Sequence, residues 1–519
     1  MRHSLWGRHV GRLLTARARF RRPQAVVALG LILLFGFVVG LLVGRQTARQ
    51  VAPAPVTTTV PGPPPPATTA APPATTEAPP PATTAPPPPA TTAPPPSGGP
   101  PAGFSIWSVE VASVSPFSAT VAWRTTEQAR GRIGYGLAGG GATLWGPADG
   151  PSVDHEGTIW GLHPGTSYAV TLTALDSGEK TVATFELTTP PLPARPVAST
   201  DGDKLLLDGQ PFFPLMVWAQ CPRDYGSSLA AGIDFFAQNP CGGTQKQLDA
   251  LAGSAVSAAV SGESPPNGPG LIGWFYQDEP ELNEVTTLPE LPLSPGQVSF
   301  LTLSNHFYSG ADPLAQGRDI YPGLVARADV VGFDLYPLQV WCRADRLADV
   351  YEAQRELVQL AAGKPTFQWI EAAVMDCDAP HLAITQETVR AEAWLAIAGG
   401  AHGLGFFPTW SPDVGQAISL LSRQIRGLAP ALLAPAAPVS VEPPGSPIRV
   451  GARSYDDALY IIAVNPAFSP AQATIRAPGL GGRTLFVLDE NRAIQPREDT
   501  FSDDFAPLAV HVYLAPPSE

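Results

Sequence analysis

Between residues 213 and 410, short apolar runs alternate with longer stretches of mixed character. The runs are 213–218 (FPLMVW), 232–237 (GIDFFA), 256–260 (VSAAV), 271–277 (LIGWFYQ), 298–304 (VSFLTLS), 329–336 (DVVGFDLY), 366–371 (TFQWIE) and 402–407 (HGLGFF). Runs this short, with little polar alternation, predict strands buried on both faces. Residues 345–361 and 385–399 carry the amphipathic spacing of helices, whereas 261–270 (SGESPPNGPG) is a loop with no helix. Strand and helix in alternation predicts a parallel sheet, and eight strands predict a closed (β/α)8 TIM barrel over residues 198–435.

The pattern changes on either side. Residues 107–114, 118–125, 131–136, 168–174 and 181–188 are β-branched or alternate, with Gly, Pro and Ser between them. They predict a β-sandwich over 103–190. Residues 447–453, 458–464, 471–476, 483–488 and 508–514 repeat the pattern and predict a small C-terminal antiparallel β domain over 436–519. Neither flanking domain shows a catalytic constellation. The expected chain is thus multidomain.

Residues 25–44 (AVVALGLILLFGFVVGLLVG) are 20 consecutive apolar or Gly residues, the length of a bilayer-spanning helix. Seven Arg lie within the basic segment 1–24, and only Arg45 and Arg49 follow closely. This asymmetry predicts a transmembrane signal-anchor with the lipid bilayer as partner of residues 25–44. It predicts a single-pass position in the cell membrane, with the C-terminal domains outside the cell or in its envelope. A cleaved signal peptide is the alternative, and it exports the same domains. Residues 45–102 read as a disordered Pro/Ala/Thr-rich linker, since they have almost no large side chain to bury.

Composition sharpens this picture. The chain has 519 residues, too many for one ordinary domain, and 61 Pro and 50 Gly concentrate the non-globular character locally. The formal net charge is −13, and residues 1–50 hold nine Arg and no acid. So acidic a chain is not a general nucleic-acid binder. Four Cys exclude a disulfide-dense miniature scaffold.

In a barrel of this kind the active site lies at the C-terminal ends of the strands. The fourth run ends in Gln277-Asp278-Glu279-Pro280-Glu281 and the seventh in Trp369-Ile370-Glu371-Ala372. Strands four and seven face each other across the mouth, so Glu279 and Glu371 can converge. Two carboxyl groups about 5–5.5 Å apart suit retaining glycoside hydrolysis. The bland alternative is that Pro280 simply stops a strand and the acids are solvated.

Three resemblances bear on this. The string Asp208-Gly209 followed by Phe212-Phe213-Pro214, together with Gly273-Trp274-Phe275-Tyr276-Gln277-Asp278-Glu279-Pro280, resembles the clan A glycoside hydrolases. That resemblance implies that Glu279 is the general acid/base and Glu371 the nucleophile. Most members carry Asn where this chain has Asp278. An Asp there can accept from a sugar 2-hydroxyl but cannot donate, and its charge raises the pKa of Glu279. Leu162-His163-Pro164-Gly165-Thr166-Ser167-Tyr168, with Trp123, resembles the fibronectin type III motif. It implies a buried Leu162 and Trp123 and a Tyr168 hydroxyl bonded to backbone. Arg132-Ile133-Gly134-Tyr135-Gly136 resembles the sandwich found before purple acid phosphatases. That rival needs a binuclear metal site, and eight His in the chain supply too few ligands. His155 and His163 read as surface residues.

Further candidates end other strands. Asn305 and His306 follow the fifth run, Asp334 and Tyr336 close the sixth, and Trp410 follows the eighth. The glycoside hydrolase resemblance implies that Tyr336 holds the nucleophile, and Trp410 is a candidate to stack on a sugar ring, with Trp218 and Trp341 in similar roles; each has core or rim packing as its alternative. Cys221, Cys241, Cys342 and Cys377 follow the first, second, sixth and seventh strands. Adjacent strands give adjacent loops, so the expected bridges are Cys221–Cys241 and Cys342–Cys377, among three possible connectivities. A Cys metal site lacks any Cys-x-x-Cys spacing.

The sequence therefore predicts a retaining glycoside hydrolase with a glycan substrate and no metal or other cofactor. A non-catalytic glycan-binding or wall-associated protein on a degenerate barrel is the second expectation, and a phosphoesterase the third. Sugar, linkage and oligomeric state do not follow from it.

Overall fold

A computed structural model describes residues 103–517, except 140–143, 177–178 and 378. The basic segment, the proposed membrane helix at 25–44 and the Pro-rich linker all lie outside the described residues. Among the described residues no helix is long and apolar enough to cross a membrane. The longest, Pro412–Leu432, carries Asp413, Arg423 and Arg426 and is apolar on one face only. Against the expectations of a transmembrane helix, a signal-anchor, a bilayer partner and a single-pass membrane location, the correction is that the described residues supply no membrane-spanning segment.

The first five strands are β1 (Ile106–Val114), β2 (Ser118–Leu137), β3 (Leu144–Trp160), β4 (Ser167–Asp176) and β5 (Glu179–Thr188). They are hydrogen-bonded in one sheet, β1-β2-β4-β5 with β3 also on β2, rather than two separate sheets of a sandwich. The reason is β2, which merges the runs expected at 118–125 and 131–136. Its first half pairs with β1 and its second half with β4. The sequence hid β3 because Gly146, Pro147, Gly150 and Pro151 read as turns. Trp123, Leu162 and Tyr168 are in the core, and the Tyr168 hydroxyl accepts the His163 N–H at 2.7 Å. His155, expected at the surface, is buried instead, stacked on Trp123 and 3.0 Å from the Thr125 hydroxyl.

A three-stranded antiparallel ribbon, β6 (Ala198–Asp201), β7 (Lys204–Leu207) and β8 (Gln210–Phe212), leads into the barrel. The barrel strands are β9 (Leu215–Trp218), β10 (Phe235–Ala237), β11 (Val256–Val260), β12 (Leu271–Phe275), β13 (Val298–Leu303), β14 (Val330–Asp334), β15 (Thr366–Ile370) and β16 (Leu404–Phe406). All pair in parallel, and β16 closes on β9. Each predicted run supplies one strand. Between them run α1 (Tyr225–Ala230), α2 (Gly243–Leu251), α3 (Tyr321–Ala326), α4 (Asp349–Ala361) and α5 (Gln386–Gly399), and α6 (Pro412–Leu432) follows β16. The β11–β12 connection has no helix, and the β12–β13 connection has only a single 3-10 turn, Pro280–Asn283.

Aromatic rings fill the barrel. Trp218 meets Phe275 and Trp369 edge-on, Phe275 stacks on Phe300, and Phe367 meets both Phe275 and Trp369. Glycine makes room for them: a Cβ at Gly332 would lie 2.1 Å from the Phe367 ring, and one at Gly405 2.0 Å from Trp369. Trp369 donates its indole N–H to the Thr302 hydroxyl at 3.1 Å.

At the N-terminal ends of the strands, buried Asp234 accepts the Leu215 N–H at 2.8 Å and pairs with Arg426 of α6 at 3.5 Å. The Arg426 guanidinium also donates to the carbonyls of Gly232 and, at the end of β3, Gly161. One cation thus ties the first sheet to the barrel floor. The C-terminal strands are β17 (Ser440–Glu442), β18 (Arg449–Tyr455), β19 (Ala458–Val464), β20 (Ala471–Arg476), β21 (Leu485–Val487), β22 (Arg492–Ile494), β23 (Thr500–Phe505) and β24 (Val510–Ala515). They form two sheets, β17-β20-β23 and β18-β19-β24-β21-β22. The second of these sheets meets the barrel through bonds from Tyr351 to the Val450 carbonyl and from Arg390 to the Val510 carbonyl.

Candidate functional site

Side chains alternate along a strand, so Gly332 and Asp334 of β14 both face the barrel axis. Asp334 is its last residue and is 6% exposed. Across the mouth, the chain leaves β12 through Tyr276, Gln277 and Asp278. Glu279 then takes the left-handed conformation, φ 43° and ψ 57°, just before Pro280 opens the 3-10 turn. A non-Gly residue there costs roughly 1–2 kcal/mol. The conformation is held by the Glu279 N–H, which donates to the Thr302 carbonyl of β13 at 3.2 Å. Strain of this kind concentrates at functional sites.

The result is a three-carboxyl cluster. One oxygen each from Asp278, Glu279 and Asp334 lies within 4.8 Å of the other two. Acids so close have two chemical outlets: they hold a hard cation between them, or they keep protons.

Asp334 is buried and the other two are half-buried, and loss of water around the carboxyls is the largest influence on all three, raising their pKa values. Mutual repulsion adds to it at Asp278 and Glu279, which stay well above the ordinary carboxylate range. Asp334 is pushed up less, to about 7, because the Tyr336 hydroxyl donates to its Oδ1 at 2.7 Å. Glu281 stands behind the group, fully buried, its Oε1 accepting the N–H and hydroxyl of Ser304. Burial takes Glu281 to about 7 as well.

Glu371 occupies a different setting. It follows β15 but is 0% exposed. Its Oε1 accepts the Leu338 N–H and its Oε2 the Gln339 N–H, both at 2.8 Å. Its acidic neighbour is Glu392 of α5, also fully buried. The structure thus brings Asp278, Glu279, Asp334 and Tyr336 together, and turns Glu371 to the β14 loop and α5. Tyr336, expected on the nucleophile at 371, bonds Asp334.

The remaining candidates have partners of their own. His306 lies in the 3-10 turn Asn305–Phe307, its Nδ1 donating to the Asp312 carbonyl at 2.6 Å, and Asn305 caps that turn through its own carbonyl. Trp410 is half-buried after β16 and lies over Gly415 at the start of α6. Trp341 is half-buried beneath the Arg346 guanidinium. Trp218 is a core ring rather than a platform. The disulfides are Cys221–Cys241 and Cys342–Cys377, with Cα separations of 5.5 and 5.6 Å.

Sequence reasoning did not single out Glu281 or Glu392. Glu392 had a signal: it is the one acid in the apolar second half of α5, AEAWLAIAG.

No protein-family model and no curated protein matches the sequence. Among solved structures, a candidate alpha-galactosidase of Bacteroides fragilis is 11% identical over 79% of this chain and 98% of its own, with a TM-score of 0.42. A GH30 endoxylanase from Clostridium papyrosolvens is 12% identical over 62% of this chain and 100% of its own, at 0.36. A beta-glucuronidase of Faecalibacterium prausnitzii is 13% identical over 63% and 66%, at 0.32. Likenesses of this degree carry no inference about what this chain acts on.

Proposed function

We propose that this chain is a retaining glycoside hydrolase whose reacting carboxyls are Glu279 and Asp334, at the ends of the fourth and sixth barrel strands. The reading rests on one observation, the approach of their oxygens to within 4.8 Å. Retaining enzymes keep their carboxyls about 5–5.5 Å apart, whereas inverting enzymes need about 6.5–9.5 Å to admit a water.

Environment supports the division of roles. Tyr336 stabilises an ionised Asp334, while burial and neighbouring acids keep the proton on Glu279. Acids driven apart in this way serve as nucleophile and proton donor. The Asp334 carboxylate attacks the anomeric carbon as the glycosidic C–O bond breaks, and Glu279 gives its proton to the leaving oxygen. Glu279, now a carboxylate, takes a proton from water. That water attacks the anomeric carbon and breaks the ester to Asp334. Asp278 accepts a hydrogen bond from a sugar hydroxyl beside the bond that breaks.

The test is covalent trapping with a panel of 2-deoxy-2-fluoro glycosyl fluorides, followed by peptide mass spectrometry. A glycosyl ester on Asp334 is the expected result. An ester on Glu371 would restore the strand-seven assignment. Neither labelling nor turnover, with retention of glycan on the intact protein, would favour the glycan-binding reading.

A further inference from the structure

The two loops that follow β14 and β15 are fastened to each other, and Glu371 is at the centre of the fastening. Its carboxylate takes the N–H groups of Leu338 and Gln339, one per oxygen. Gln339 answers from the other side. Its Oε1 accepts the Met375 N–H at 2.8 Å, its Nε2 donates to the Leu382 carbonyl at 2.6 Å, and its own carbonyl accepts the Asp376 N–H at 3.1 Å. The Cys342–Cys377 disulfide closes the same pair of loops farther out. The β14 loop is also tightly wound, with the Tyr336 carbonyl accepting from both Val340 and Trp341. Glu371 therefore grips backbone two and three residues beyond Tyr336, and Tyr336 in turn bonds Asp334.

A fully buried acid is a costly way to hold a loop unless its charge is met by donors. Here both oxygens are met, and charge-assisted bonds to N–H groups are the stronger kind. Glu392 lies behind it with neither oxygen in a hydrogen bond of good geometry. Burial and the neighbouring Glu371 hold Glu392 protonated. Burial raises Glu371 too, but only to about 7, because the Leu338 N–H, protonated Glu392 and the Gln339 N–H offset part of it, so Glu371 is the member of the pair that ionises first.

We infer that Glu371 is a positioning residue, whose carboxylate locks the β14 loop so that Tyr336 presents its hydroxyl to Asp334. The inference rests on the assignment of Asp334 as nucleophile. It accounts for an acid at the strand-seven position without giving it a reacting role.

The test uses Glu371→Gln in the full chain, assayed on the 4-nitrophenyl glycoside that wild type hydrolyses fastest. The amide turns an N–H towards one of the two loop N–H groups, so one bond becomes a repulsion. Expected is a fall in kcat of about 10- to 100-fold with KM changed less than about threefold, the loss of one charge-assisted bond. The acid limb of the pH–rate profile should move to higher pH, because Asp334 loses part of its Tyr336 support. Faster amide hydrogen exchange in residues 335–341 should accompany it, and that readout needs no turnover. If E371Q does not fold, Gln339→Ala opens the fastening from the opposite side with both acids intact, and the same shift of the acid limb is expected. Unchanged exchange and an unchanged acid limb in the folded variant would overturn the inference. A trapped ester on Glu371 in wild type would instead overturn the assignment beneath it.

Discussion

Tyr336 and Asp334 are two residues apart in the chain and joined at 2.7 Å, the phenolic O–H donating to Oδ1 in a buried site. The bond stabilises the carboxylate against the acids around it. Tyr336→Phe removes the donor without changing the ring. We expect kcat/KM to fall about 10- to 100-fold, the worth of a hydrogen bond to a charged group. The acid limb of the profile, set by Asp334 near pH 7, should move upward. A lower rate with the limb unmoved would count against Asp334 as the ionising group.

Glu279 can be probed through the leaving group. Glu279→Ala should cost about 100- to 10,000-fold on glycosides with poor leaving groups. It should cost much less on dinitrophenyl glycosides, which depart without protonation. An equal loss on both would assign Glu279 to binding rather than proton transfer.

The acids with raised pKa values also tie stability to pH. Asp278, Glu279, Glu281, Asp334, Glu371 and Glu392 all have pKa values raised by burial. The folded chain therefore keeps protons that the unfolded chain gives up above about pH 4 to 4.5, and stability falls as pH rises through 7. Half-buried His163 and buried His402, lowered to about 3 and about 4, act oppositely below 6.5 but are fewer. Calorimetry should give a higher Tm at pH 5 than at pH 8. The reverse order would mean that the fold does not raise these acids above their unfolded values.

Gly332→Ala tests the barrel interior. Its methyl would overlap the Phe367 ring, which is packed against Phe275 and Trp369. Overpacking of this kind costs about 1–3 kcal/mol. Urea unfolding should show the loss, with activity reduced as well because Asp334 is two residues on.

Removing the Cys342–Cys377 bridge, which closes a separation of 35 residues, should cost roughly 3–4 kcal/mol. Because it spans the β14 and β15 loops, the C342A/C377A pair should also lose kcat. The C221A/C241A pair should lose stability with little change in kcat. Equal effects on kcat would mean that the loops do not depend on the outer staple.

The barrel was legible because its strands are buried on both faces, which leaves an apolar run for each. The cleft was only half legible. Glu279 stood out beside Pro280, but the partner depended on which way side chains turn beyond the last strand residue. Asp334 is still within β14, so alternation fixes it inward. Glu371 lies one residue past β15, where alternation no longer holds and the Leu338 and Gln339 N–H groups claim it. β3 was missed for the opposite reason: its glycines and prolines read as turns, and long-range pairing with β2 overrides them.

Arg426 has a mechanical consequence. It fastens β3 to the ends of the strands opposite those that carry Glu279 and Asp334. Tension applied to the chain at Gly103 would thus enter the barrel from below and pass along α6. The loops at the top would carry little of that load.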